Sequence, residues 1–168
     1  MGVVANRKTV TVVAVLIAAT VVFIIAHSLQ GSEGSWEESN ALAALFEPVF
    51  RRVYGCYCGV VAWMAGASPL EYGAFVRKVA HFAEYFLIGA ECAVLAVELA
   101  GRVFSPHLWA VLFAVLAVAV FDEYVQAFAG RTSLVSDVVL DFCGGVAGIA
   151  VVLIAVRVFR RFRPAERQ

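Results

Sequence analysis

From Thr9 to Ala26 the chain runs eighteen residues of Val, Ala, Ile, Leu, Phe and Thr without a charge. About 20 apolar residues in helical form cross the hydrocarbon of a bilayer. Inside lipid every backbone polar group must be satisfied within the protein, which leaves helices or closed barrels. The constraint recurs over Val79–Gly101, Pro106–Phe128 and Leu134–Val156. With 62% hydrophobic and 15% charged residues, against about 25% charged in soluble domains, the chain reads as an all-α membrane protein. The expected architecture is a four-transmembrane-helix bundle, a single domain over residues 1–168. A signal peptide is the rival reading of the first run, but signal cores span only about 7–15 residues. Thirteen basic and thirteen acidic residues cancel, so no electrostatic footprint for nucleic acid exists.

Residues 27–78 form the expected outer loop. His27–Ser35 has turn composition. Asn40–Tyr54, with Ser39 as its cap, places Leu42, Leu45, Phe46, Val49, Phe50 and Val53 on one face, and Pro48 predicts a kink or break. Gly55–Ala67 is apolar but only 13 residues long. Together these suggest an amphipathic or re-entrant segment between the first and second spans. Ser68 and Glu71 have capping-box spacing, with Pro69 at the first helical position. That spacing predicts a helix from there to Ala100, stopped by Gly101. Cys56 and Cys58 fit no zinc pattern and read as packing residues, as do Cys92 and Cys143 within spans.

Basic residues set the expected orientation. Arg7, Lys8, Arg102 and the tail arginines 157, 160, 161, 163 and 167 share one side, eight in all. Arg51, Arg52, Arg77, Lys78 and Arg131, five in all, share the other with Glu33, Glu37, Glu38, Glu47 and Glu71. Cytoplasmic loops carry the Lys/Arg excess, so a multi-pass plasma-membrane protein with both termini cytoplasmic is expected. The polar ends of spans two, three and four then meet at the outer face.

Ionisable groups near hydrocarbon are costly unless paired or hydrated, so their pattern is informative. Arg77, His81, Glu84, Glu91 and Glu98 form one stripe at helical spacing. Glu98 reads as an inner-surface residue near Arg102, whereas Glu91, near mid-membrane, needs a proton or a partner. Asp122 and Gln126 lie one turn apart, with Glu123 beside them. Asp137 and Asp141 share a face that continues into Gly144 and Gly148, and small residues at this spacing let helices approach closely. The second and fourth spans are expected to pack there. Arg131, in a Gly-Arg turn, has the fork to hold a phosphate or carboxylate, or to clamp Asp137 or Asp122.

These blocks resemble the VanZ-like family, small bacterial membrane proteins named for a teicoplanin-resistance protein. The resemblance rests on Arg77-Lys78 with His81, Phe82, Glu84 and Tyr85, then Asp122, Glu123, Gln126 and Phe128. It continues through Gly130, Arg131, Ser133, Asp137, Asp141, Gly144 and Gly148, with a polar Ser28-Leu-Gln30 after the first helix. Val125 stands where a His is often found, and Ala129 where a Pro is common. A mechanism requiring that extra imidazole is in doubt for this chain.

The resemblance implies a cell-envelope role and antibiotic resistance of the teicoplanin type, but no reaction and no cofactor. The first functional reading is an envelope protein that lowers lipoglycopeptide access to the outer leaflet. The second is a membrane-embedded acid/base or metal-assisted enzyme acting on a lipid-linked cell-wall precursor. Its catalytic candidates are His81, Glu84, Asp122 and Glu123. Its binding candidates are Arg77, Lys78, Tyr85, Gln126, Arg131, Ser133, Asp137 and Asp141. Asp122, Glu123, Asp137 and Asp141 fix no ligand pattern, so no metal site is assigned. The third reading is a small proton-coupled carrier relaying through Glu84 and Glu91. Membrane lipids are expected contacts in every case.

Overall fold

The computed structural model describes residues 6–30, 37, 41, 43–65, 68–103 and 105–162, and of 63–65 the backbone alone. Among the described residues five long helices carry the fold: α1 Arg7–Ser28, α2 Glu47–Ala65, α3 Tyr72–Ala100, α4 His107–Phe128 and α5 Val135–Phe162. There is no strand among the described residues. α1, α4 and α5 are long and apolar enough to cross a membrane by length and composition. α3, though 29 residues long, is not in that set; it carries Arg77, Lys78, Glu84, Glu91 and Glu98.

α1 begins on Asn6, whose side-chain oxygen accepts from the Lys8 N–H at 3.1 Å. It runs through His27 and Ser28 rather than turning after Ala26, so both side chains belong to a helix end and not to a turn. α2 is one continuous helix of 19 residues across the expected junction at Gly55. Pro48 stands in its first turn, where the missing N–H breaks no hydrogen bond, and the chain bends before it at Phe46. Thus the helix is interrupted at Phe46, beside the expected break at Pro48, whereas the separate short piece expected from Gly55 is part of one continuous helix. Ser39 and Asn40 lie outside the described residues.

The capping box expected at Ser68 does not form. Residues 68–71 are not helical, and Glu71 occupies the N-cap of α3 without a side-chain bond. The reason lies on α2. Tyr54 Oη donates to the Leu70 carbonyl at 2.7 Å, and the Leu70 N–H donates to Tyr57 Oη at 3.3 Å. Both backbone groups of Leu70 are thereby engaged outside a helix. Tyr54 and Tyr57 pack on Phe75, centroids 5.2 and 5.0 Å away, which ties α2 to the head of α3. At its far end α3 stops as expected at Gly101, in the left-handed region with φ 64°. α5 reaches Phe162, well past the expected Val156, and Arg160 Nη1 donates to the Gly101 carbonyl at 3.2 Å.

α3 lies centrally, against α5 along its length and against α1 and α4. Ile24, Tyr85, Ile88, Val115 and Ala119 form the apolar core between α1, α3 and α4. The α3–α5 seam is made by glycines, as the small-residue spacing predicts. A Cβ on Gly144 would stand 2.5 Å from the Phe82 carbonyl oxygen, and one on Gly148 2.0 Å from that of Phe86. Only glycine permits this approach. Outward, the helices expose Val15, Val22, Phe113, Val120, Val151 and Ile154, a surface suited to lipid rather than water.

Candidate functional site

The end of α1, the first half of α3, the end of α4, the Ala129–Leu134 turn and the start of α5 converge at one end of the bundle. The turn is set by Gly130, at φ 73° in the region that disfavours side chains. The Arg131 N–H donates back to the Gln126 carbonyl at 3.1 Å, and the turn brings the guanidinium inward to His81. Between these elements lies a cavity of about 340 Å³. Its polar walls come from Arg77, Lys78, His81, Glu123, Gln126, Arg131, Asp137 and Asp141, and its apolar walls include Leu70, Ala74, Leu134 and Leu140.

A buried hydrogen-bond network lies beside and beneath the cavity. Ser28 Oγ donates to Asp122 Oδ1, and Gln126 Nε2 donates to Asp122 Oδ2 at 3.1 Å. His27 Nδ1 lies 3.0 Å from Glu84 Oε1. With Glu84 as the acceptor, the His27 proton sits on Nδ1. The two imidazoles of His27 and His81 stack, centroids 5.8 Å apart. Arg131 Nη2 donates to His81 Nε2 at the long distance of 3.5 Å. Because a guanidinium cannot accept, His81 offers a lone pair there and carries its proton on Nδ1. That nitrogen stands 3.9 Å from Glu84 Oε2. Glu123 Oε2 accepts from the Leu134 N–H at 3.0 Å, a cap for α5 supplied by α4. Lys78 Nζ pairs with Asp137.

Several buried atoms of this network have no hydrogen-bond partner: both carboxylate oxygens of Asp141, His81 Nδ1, Glu84 Oε2, Tyr85 Oη and Arg131 Nη1. Burial lowers the pKa of the Arg131 guanidinium from its ordinary value, and the charge of Arg77 acts in the same direction. Asp122, Glu123 and Asp137 oppose both and favour the charged form.

A family model described as VanZ/LLP1 matches residues 12–157. The chain belongs to the VanZ/LLP1 family. No curated protein and no solved structure matches it. The membership agrees with the motif reading and with three apolar helices of membrane-crossing length: this is a VanZ-like multi-pass membrane protein.

Of the site residues read from the VanZ-like motifs, Arg77, Lys78, His81, Glu123, Gln126, Arg131, Asp137 and Asp141 line the cavity. Asp122 and Glu84 sit behind it, joined through the network to α1. Tyr85 is fully buried in the apolar core and does not line the cavity. Ser133 is exposed on the turn, and Thr132 takes its place at the wall. Asp122, Glu123, Asp137 and Asp141 do not gather as one ligand set, since Glu123 caps α5 and Asp137 pairs with Lys78. The atoms that converge are a ring nitrogen of His81 and one carboxylate oxygen each of Asp122 and Asp141, all within 4.8 Å of one another. Sequence reasoning missed His27. Its signal was a polar residue ending an otherwise apolar helix. Glu91, for which a proton or partner was required, accepts a 3.1 Å hydrogen bond from Thr20 Oγ1.

Proposed function

We propose that this VanZ-like protein works in the bacterial cell envelope by holding the phosphate-bearing headgroup of an envelope lipid. Arg77, Lys78 and Arg131 receive the headgroup at the cavity wall. Holding such lipids at the outer leaflet limits lipoglycopeptide access and lowers sensitivity to teicoplanin-type compounds. The observation that carries the reading is Arg131: its Nη1 is buried at the cavity without a hydrogen-bond partner. A guanidinium donor in that position suits a phosphate oxygen. The cavity volume of about 340 Å³ falls within the ~300–1,000 Å³ of small-molecule sites. Its mixed lining suits an amphiphile, with Leu70, Ala74 and Leu140 beside the charges.

In this reading residues 79–100 of α3 make a fourth crossing, since His81 and Glu84 turn into the bundle and Glu91 is held by Thr20. The eight-to-five basic asymmetry supports cytoplasmic termini and, with them, a cavity at the outer leaflet. His81, with a proton on Nδ1 near Glu84, supports a second reading, acid/base chemistry on the bound lipid.

Two measurements test the proposal. A single cysteine at exposed Thr132, with the native cysteines removed, reacts with an impermeant reagent on intact cells; labelling only after lysis overturns the orientation. Native mass spectrometry of protein from vesicles of phosphatidylglycerol and an undecaprenyl-phosphate lipid reads headgroup binding. Arg131→Gln lowers retention of the phosphate lipid at least ~10-fold, as expected for losing a hydrogen bond to a charged group, and removes any teicoplanin phenotype while accumulation is kept. Retention and phenotype unchanged in that variant overturn the reading. Release of a cleaved headgroup favours the enzyme.

A further inference from the structure

We propose that His81, Asp122 and Asp141 form a binding site for one divalent transition-metal ion, Mn²⁺ or Zn²⁺. Three helices bring the ligands together: α3 supplies the imidazole, α4 and α5 one carboxylate each. One ligand atom from each lies within 4.8 Å of the others, and all three residues are buried. Oxygen ligands at about 2.0–2.2 Å from an ion stand no more than about twice that apart, so closing on an ion needs only small side-chain movement.

A group of acids alone would not mark a site, and Asp141 supplies the independent observation. It is 1% exposed, and neither of its oxygens accepts a hydrogen bond. Buried carboxylates are ordinarily paired or coordinated. Asp122, by contrast, is oriented by Ser28 and Gln126, both neutral donors, which fix its carboxylate without neutralising it. That is the arrangement of outer-shell partners around a metal-binding carboxylate. His81 has a Glu84 oxygen 3.9 Å from its Nδ1, and carboxylates commonly stand behind ligating imidazoles. The Arg131 contact to Nε2 is long at 3.5 Å, and the guanidinium gives up that lone pair when an ion binds.

Ligand chemistry narrows the ion. Imidazole disfavours Mg²⁺ and Ca²⁺, and two carboxylates disfavour Cu(I); among the divalent first-row ions Mn²⁺ suits the carboxylates and Zn²⁺ the imidazole. Three protein ligands leave further positions open. His81 and Asp141 line the cavity, so those positions face it. The site stands on its own geometry whatever molecule the cavity takes.

The test uses the full chain in nanodiscs, stripped with a chelator and titrated with MnCl₂ or ZnCl₂. Calorimetry gives one ion per chain. Asp141→Asn and His81→Gln weaken binding by more than the ~10–100-fold that loss of an outer-shell partner costs. Ser28→Ala falls within that range, and Glu98→Gln, far along α3, binds as the unaltered protein does. A readout on the unaltered protein removes dependence on whether variants fold: bound Mn²⁺ shows electron-spin-echo coupling to an imidazole ¹⁴N. No stoichiometric binding, binding without nitrogen coupling, or affinity unchanged in folded Asp141→Asn each overturns the site; the last two mean adventitious binding elsewhere, and the first means that Asp141 is a protonated acid.

Discussion

The glycine seam and the polar end occupy adjacent stretches of the same two helices, yet they treat burial in opposite ways. At the seam, backbone meets backbone: a Cβ on Gly89 would stand 2.2 Å from the Gly145 carbonyl oxygen, and one on Gly148 2.9 Å from the Ala90 nitrogen. Every approach there is closed by an atom. One turn away, Asp141 is as buried as any seam residue but makes no hydrogen bond, and His81 Nδ1 and Arg131 Nη1 share that state. Each unmet buried polar group costs about 1–3 kcal/mol. A fold retains such groups where packing elsewhere over-determines the structure and where the groups serve a ligand. Shape thus clamps α3 and α5 together while polar groups at their ends stay unsatisfied.

The largest expected effect breaks the clamp. Gly148→Leu drives a side chain into the Phe86 carbonyl, so destabilisation should exceed the ~1–3 kcal/mol usual for overpacking, seen as lost membrane accumulation and a lower Tm. Ile149→Leu, next along the chain and also buried, should cost less than about 1.5 kcal/mol. Equal behaviour of the two variants means that close packing at Gly148 does not hold α3 and α5 together.

A middle-sized effect sharpens the contrast within the polar end, measured on metal-stripped protein in detergent. Asp122→Asn keeps an acceptor for Gln126 and turns the Ser28 hydroxyl from donor to acceptor, replacing two hydrogen bonds to a carboxylate with neutral ones, and should cost about 1–1.5 kcal/mol. Asp141→Asn disturbs no hydrogen bond, so its Tm should hold or rise. A matching loss in both variants means that Asp141 is held by a partner of its own.

The smallest effect lies between the two regions. Thr20→Val removes the donor to Glu91 Oε1 at nearly constant volume. Interhelical hydrogen bonds in membranes average about 0.6 kcal/mol, so chemical unfolding in mixed micelles should register a loss of that size. A loss several times larger makes Glu91 part of the polar network and extends that region down α3.

Much of the frame was legible along the chain. The stop of α3 at Gly101, the close-approach face of Gly144 and Gly148, and the motif residues of the cavity wall are all local patterns. The start of α3 was not, because Tyr54 and Tyr57 engage Leu70 from another helix and outweigh a valid capping-box spacing. Nor was the unity of α2, since a proline in the first turn of a helix and one that breaks it look alike until the helix start is known. Within the site, Ser133 and Tyr85 belong to the motif but turn to solvent and to the core, respectively.

That the chain is helical and suited to a membrane can be read along it, because hydropathy and helical spacing depend on neighbours within a turn or two. So can the family, through motifs of consecutive residues. The tertiary structure alone decided which charged groups are satisfied. Asp122 meets Ser28 across 94 residues, Lys78 meets Asp137 across 59, and Asp141 meets no donor. No local pattern separates these carboxylates, because the partner of each is set by which helices pack together, α1 with α4 at Asp122 and α3 with α5 at Asp137.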